Sequence, residues 1–130
     1  MRVLIDENLP PALAKALRAL FDGLHEVVHI RERFRQGVAD EAWIKTLSAE
    51  GRWVIISGDR RITKNRLQAR AFRTSNLVGF FLSKGLYKSP IVKQMERLLA
   101  LWDRIEQQAG LVQGGAMFEL PIKSTRLRQL

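Results

Sequence analysis

The sequence predicts an α/β fold, a central and mainly parallel sheet covered by helices on both faces. Two observations carry that reading. Short apolar runs dense in β-formers, the mark of strands buried on both faces, alternate with stretches of helical periodicity. Such an alternation also implies right-handed crossovers between neighbouring strands.

Arg2-Val3-Leu4-Ile5 reads as the first buried strand, ending where Asp6-Glu7-Asn8 begins. Pro10-Pro11 opens a helix whose Leu13, Ala14, Leu17, Leu20 and Phe21 recur at helical spacing, with Asn8 as its cap and Asp22-Gly23 as its stop. Glu26-Val27-Val28-His29-Ile30 is the second strand, and Arg31 to Gly37 a polar loop. A second helix starts near Asp40, carries Ala42, Trp43, Ile44 and Leu47 inward, and stops at Gly51. Trp53-Val54-Ile55-Ile56 is the strongest strand signal, and Leu77 to Leu82 the next, with room for a short helix within Arg60 to Arg73. From Ser89-Pro90, Ile91, Met95, Leu98, Trp102, Ile105 and Ala109 recur at spacings of 4 and 3, widened by Val92 and Leu99. They mark a long amphipathic helix over about 90–109, with room on it for a homodimer seam. Ala116 to Leu120 reads as an extra strand before a basic tail. Trp43, Trp53 and Trp102 read as core anchors.

At 130 residues, 46% hydrophobic and 27% charged, the chain suits one folded domain over 1–130 and excludes disordered and collagen-like classes. The absence of cysteine removes disulfides, thiolate metal sites and cysteine nucleophiles. No apolar run reaches membrane-spanning length, and Asp6 interrupts the opening run too early for a secretory signal, so a cytoplasmic protein without membrane contact is expected. The net charge of +9 is unevenly spread: 8 Lys/Arg face 9 Asp/Glu up to Asp59, and 14 face 4 beyond it. This pattern suits a small acidic site beside a surface that grips a polyanion.

In a parallel sheet, function gathers beyond the carboxyl ends of the strands. Three places supply acids at that edge: Asp6 with Glu7, Asp40 with Glu41, and Asp59. Carboxylates converging on one volume repel one another unless a cation joins them, and oxygen ligands suit Mg²⁺ or Mn²⁺, which can activate water against a phosphodiester. Each acid also has a local use: Asp40 and Glu41 suit a helix first turn, with Asp40 as N-cap, and Asp6 and Asp59 suit Asx-turns. His25 and His29, four apart on a strand, stand roughly 13 Å from each other and cannot share a metal. Ser57 lacks the glycine flanks of a nucleophile elbow. From Arg60 to Arg73 there are six bases and no acid: Arg60, Arg61, Lys64, Arg66, Arg70 and Arg73. Arg66, Arg70 and Arg73 share a helical face, and arginine forks match phosphate oxygens. Thr63 and Asn65 suit either phosphate contact or turn chemistry.

Met1-Arg2-Val3-Leu4-Ile5-Asp6-Glu7-Asn8-Leu9-Pro10, Asp40-Glu41-Ala42-Trp43-Ile44 and Trp53-Val54-Ile55-Ile56-Ser57-Gly58-Asp59-Arg60-Arg61-Ile62, with Phe118-Glu119-Leu120-Pro121 near the end, resemble the PIN-like domain of VapC-type toxins. The resemblance implies a three-layer α/β/α fold and an Mg²⁺- or Mn²⁺-dependent ribonuclease, the toxin of a type II toxin–antitoxin pair held inactive by a cognate antitoxin. Asp6, Asp40 and Asp59 would be its metal carboxylates and catalytic acids, with Glu7, Asn8 and Glu41 in support and the basic stretch on RNA. Many PIN domains carry one more acid after the third motif. Here Arg60 and Arg61 stand there, and Gln68 stands where related sequences can carry glutamate. A rival expectation is therefore a PIN-like module that binds nucleic acid or an antitoxin without cleaving.

Overall fold

The computed structural model describes residues 1–58 and 60–130. Its elements in chain order are β1 (Arg2–Ile5), α1 (Pro11–Leu20), β2 (Glu26–His29), a 3₁₀ turn (Ile30–Glu32), α2 (Asp40–Ala49), β3 (Val54–Ser57), α3 (Arg61–Lys64), α4 (Arg66–Arg73), β4 (Val78–Leu82), α5 (Lys84–Tyr87), α6 (Ile91–Leu111), β5 (Met117–Leu120) and β6 (Arg128–Gln129). The sheet order is β2-β1-β3-β4-β5-β6. Neighbours pair in parallel until β6, which runs antiparallel to β5.

Period-two geometry sends alternate residues of a strand to opposite faces, and here both faces are apolar. Val3 and Ile5, Val54 and Ile56, and Val78, Phe80 and Leu82 join one core with Leu13 and Leu17 of α1 and Leu98, Leu101 and Ile105 of α6. Leu4, Ile55 and Phe81 join the other with Trp43, Ile44 and Leu47 of α2 and Phe72 of α4. The result is the expected three layers. Each fully buried Leu, Ile, Val or Phe contributes about 1.5–3 kcal/mol. Besides the buried polar His29 and Ser57 at strand ends, the pattern breaks at Gly79, where a Cβ would come within 2.7 Å of Phe81 Cε2 and 3.0 Å of Phe72 Cζ. Glycine in β4 is what lets those two rings meet edge to face, with centroids 6.4 Å apart.

The details differ from the sequence reading where short-range signals compete with tertiary ones. The N-cap of α1 is Pro10, without a side-chain cap, and Asn8 is engaged elsewhere. Ala39, not Asp40, is the N-cap of α2. β2 stops at His29 because Ile30 begins the 3₁₀ turn, and β3 runs one residue past Ile56. The basic stretch folds as two helices broken at Asn65, whose side-chain oxygen accepts from Leu67 N–H and Gln68 N–H and so caps α4. Thr63 Oγ1 donates to Arg60 O, so it too serves the turn. In α6 the inward stripe is Leu98, Leu101, Trp102, Ile105 and Ala109, with Gln94 and Arg97 at its start, whereas Val92 is 74% exposed and Ile91 and Leu99 are also on the surface. The apolar width added by Val92 and Leu99 is therefore on the solvent side. Arg97 is buried because its guanidinium donates to the carbonyls of Pro121 and Ser124, tying down the chain after β5. Among the described residues no helix is long and apolar enough to cross a membrane.

Opposite the carboxyl edge, Trp53 is fully buried, with the Arg2 guanidinium 4.3 Å and that of Arg33 5.5 Å from its ring centroid. Glu50 accepts from Arg33 at 2.7 Å, from Arg2 at 3.2 Å and from Trp53 Nε1 at 3.3 Å. The Arg33 hydrogen bond, with the two guanidinium charges, holds the Glu50 carboxyl down from 4.5 to about 2. A depressed carboxyl stabilises the fold above its unfolded pKa and loses that effect as pH falls through the folded one. Glu50→Gln should therefore lower stability at pH 7 by roughly 1 kcal/mol, the scale of a partly exposed pair. The gap between the two melting temperatures should close as pH falls from 4.5 towards about 2. A gap that stays constant across that window in thermal melts contradicts the assignment.

Candidate functional site

Chain order and sheet order part company between β1 and β3: the chain leaves β1 for β2 on one side and returns for β3 on the other. That is a topological switch point, where diverging loops leave a crevice beyond the carboxyl ends of the strands. Asp6 follows β1 there. Its N–H donates to Ile56 O at 2.9 Å, so the residue is fixed to β3 by backbone as well as by side chain.

The Asp6 carboxylate is buried, with 6% of the residue exposed. Glu7 N–H donates to Oδ1 at 2.7 Å and Ser57 Oγ to Oδ2 at 2.9 Å. Asn8 completes the link: its Nδ2 donates to Ser57 Oγ at 3.1 Å, and its Oδ1 accepts from Gly58 N–H at 2.8 Å. Burial pushes the Asp6 carboxyl above its ordinary range, and the Asp40 and Glu7 charges add to this, while the Glu7 and Ser57 hydrogen bonds oppose it. Asp40 reaches the same place from the start of α2, oriented by Trp43 Nε1, which donates to its Oδ1 at 2.9 Å. Asp6, Glu7, Asn8, Asp40, Arg61 and Ile62 enclose a crevice of about 10 Å³. This is close to the space one water needs.

Of the acids read from sequence, the structure brings Asp6, Glu7 and Asp40 together. Asp59 lies outside the described residues. Glu41 faces a different cleft, between α2 and α4, beside Ser48, Ala71 and Thr74. Glu7 is ion-paired to Arg31 at 3.2 Å. Among the described residues no group of three His, Cys, Asp or Glu side chains is placed to hold a metal. His29 is taken up otherwise: Nε2 bonds Leu9 O at 2.8 Å and Nδ1 accepts from Arg31 N–H at 3.2 Å. His25 precedes β2 instead of lying within it.

The basic residues divide into groups. Arg60 is ion-paired to Glu119 of β5, which also holds Arg128 at 2.6 Å. Arg61 borders the crevice. Lys64 is exposed at the end of α3, and Arg66, Arg70 and Arg73 are exposed on α4. Gln68 joins Glu7, Val38, Asp40 and Arg61 around an adjoining cleft, and its Oε1, shut off from solvent, accepts no hydrogen bond from the described residues.

Three participants were not read from the sequence. Ser57, which the sequence offers only as an unsuited nucleophile, is the hydrogen-bond partner of Asp6, and its place at the carboxyl end of β3 is the signal for that role. Lys84 and Tyr87, on the short α5 just beyond β4, stand at the same edge. Asn8→Ala should cost about 1–3 kcal/mol, because it leaves the Gly58 N–H without its acceptor and unlinks the loops after β1 and β3. Urea unfolding would show this as a lower midpoint, and an unchanged midpoint would mean the link carries no load.

The fold and this edge define a class: a parallel α/β domain with a buried aspartate at the switch point and a second carboxylate facing it. The model of the PIN-like domain family matches residues 1–84, and the chain belongs to that family. The matched stretch runs from β1 to the start of α5 and so contains every residue of the crevice. PIN-like domains are in general of nuclease type, bind nucleic acid and depend on divalent metal. No curated protein and no solved structure matches the chain.

Proposed function

We propose that the protein is a metal-dependent endoribonuclease, one domain over 1–130, in which Asp6, Asp40 and Asp59 are the metal-binding and catalytic acids. The observation that carries this reading is the buried Asp6 at the switch point, facing Asp40 across an ion-sized crevice. The donor chemistry fits a hard divalent cation: carboxylate oxygens of like charge, one of them held where burial disfavours its ionised form until a cation offsets the cost. Asp6 and Asp40 would hold Mg²⁺ or Mn²⁺ with Asp59, and the bound ion would supply Lewis-acid activation of water and of the phosphodiester oxygen.

This chain's own residues do the positioning. Ser57 and Glu7 N–H fix both oxygens of Asp6, Trp43 fixes Asp40, and Asn8 keeps the loops after β1 and β3 together. Glu7 supports the acidic edge, from which Glu41 is turned away, and Arg60, Arg61, Lys64, Arg66, Arg70 and Arg73 attract and align the RNA backbone. The finer reading is a cytoplasmic VapC-type toxin, inhibited by a cognate antitoxin and able to form a homodimer. The net charge of +9 suits both RNA and an acidic inhibitor.

Labelled RNA incubated with the protein in Mn²⁺, Mg²⁺ or EDTA tests the reading, with Asp6→Asn beside the wild type. Cleavage that needs both metal and Asp6 is the expected result. A second reading, binding without cleavage, is favoured by Gln68, an amide at the rim instead of an acid. It predicts RNA that is bound and stays intact in every metal.

A further inference from the structure

A larger opening lies beside the Asp6 crevice, beyond the carboxyl ends of β3, β4 and β5. It has a volume of about 510 Å³ and is lined by Gly58, Arg60, Lys64, Lys84, Tyr87 and Glu119. That volume is within the range of sites that take small organic ligands. The two openings share a wall, because Asn8 borders the crevice and its side chain accepts from Gly58 N–H, while Gly58 borders the cleft.

The lining has an uneven charge. Among the described residues its one carboxylate is Glu119, already held by Arg60 and Arg128. Lys64 and Lys84 are exposed and pair with no described residue, so both ammonium groups face the cleft's solvent side. Its aromatic member is held in place. The Tyr87 ring lies so close over Gly58 that a Cβ there would come within 2.1 Å of Cδ1, and its hydroxyl donates to Asn8 O at 3.4 Å. Tyr87 is still 39% exposed, which leaves ring surface to a ligand. A fixed, half-open aromatic ring beside two exposed ammonium groups is the pairing that recognises an unstacked base joined to a phosphate.

We propose that this cleft receives the nucleotide next to the cleaved bond of a single-stranded RNA, its base against Tyr87 and its flanking phosphate between Lys64 and Lys84. The place beside the cleaved bond rests on the nuclease reading, whereas binding in the cleft does not. A duplex keeps its bases stacked on each other and has none to offer Tyr87.

Fluorescence polarisation with a labelled single-stranded RNA in EDTA reads binding apart from cleavage. Tyr87→Leu should weaken binding roughly 5- to 150-fold, the range for losing one base–aromatic stack. Tyr87→Phe, which keeps the ring, should bind like the wild type. Lys64→Ala with Lys84→Ala, both at exposed positions, should reduce the slope of log affinity against log salt by about 0.7, one single-strand phosphate contact. Cross-linking of a thiouridine-substituted strand to Tyr87 or its neighbours in the wild type supports the cleft without any variant. Unchanged affinity in Tyr87→Leu, tighter binding of duplex RNA or of an acidic peptide, or no RNA binding at all overturns the proposal. Tyr87-dependent binding without cleavage in Mn²⁺ upholds the cleft and removes only the nuclease reading.

Discussion

Asp6→Asn is expected to abolish metal-dependent RNA cleavage while leaving the protein at least as stable as the wild type. The two halves of that expectation have separate causes. Loss of a residue that merely orients a metal ligand typically costs 10- to 100-fold, so loss of a proposed ligand should cost on the order of 100-fold or more. Stability should hold because the amide is nearly the same shape and carries no charge to bury. Its oxygen can still accept from Glu7 N–H, and its NH₂ can donate to Ser57 Oγ, where the carboxylate now accepts. The ionised carboxylate is disfavoured by burial and by Asp40 and Glu7, so removing it relieves a cost. Cleavage at the wild-type rate by a folded Asp6→Asn protein would refute the metal role, and a collapse in melting temperature would refute the account of the burial.

The largest effect on stability is expected at Trp53, where truncation to alanine should cost about 3–5 kcal/mol. Trp53 is fully buried in the core formed with α2 and α4, and the Arg2 and Arg33 guanidinium groups lie against its ring. Removing the indole leaves a cavity and takes the Nε1 donor from Glu50. Against a typical domain stability of 5–15 kcal/mol, the melting temperature should fall by roughly 10 °C or more. Trp53→Phe should lose less, since most of the ring volume remains. A urea unfolding free energy for Trp53→Ala within about 1 kcal/mol of the wild type, a threshold of about one net hydrogen bond, would show that the core closes over the gap.

Both sites were legible in the sequence to different depths. The buried strands and the helices α1, α2 and α6 announced themselves because an apolar run of β-formers and a 3.6-residue stripe are local signals, and the parallel order placed Asp6 and Asp40 at one edge. What surrounds Asp6 was not local. Asn8 reads as a helix cap because capping acts over a few residues, whereas its actual partners are Ser57 and Gly58, 49 and 50 positions away. The four residues of α5 are too few to show a period, so Tyr87 was invisible until its ring was seen on Gly58. β6, two polar residues long, carries no strand signal, and its pairing with β5 is what brings Arg128 to Glu119. The stripe on α6 was read one step too wide because Val92 and Leu99 have the right chemistry at positions the helix turns outward.

The switch point between β1 and β3 also sets when the acidic crevice can exist. Its lining joins Asp6, whose carboxylate accepts from Ser57 Oγ 51 positions on, to Arg61 and Ile62, and β1 pairs with β2 as well as with β3. A chain emerging from the ribosome can therefore build the β1–α1–β2 unit while Asp6 still lacks its partner hydroxyl and the strand beside it. Contacts of such long sequence separation form late, after the cost of closing the loop has been met. No fragment that ends before Ser57 contains both halves of the crevice, so the chemistry proposed for it would begin only once the third strand is synthesised and docked.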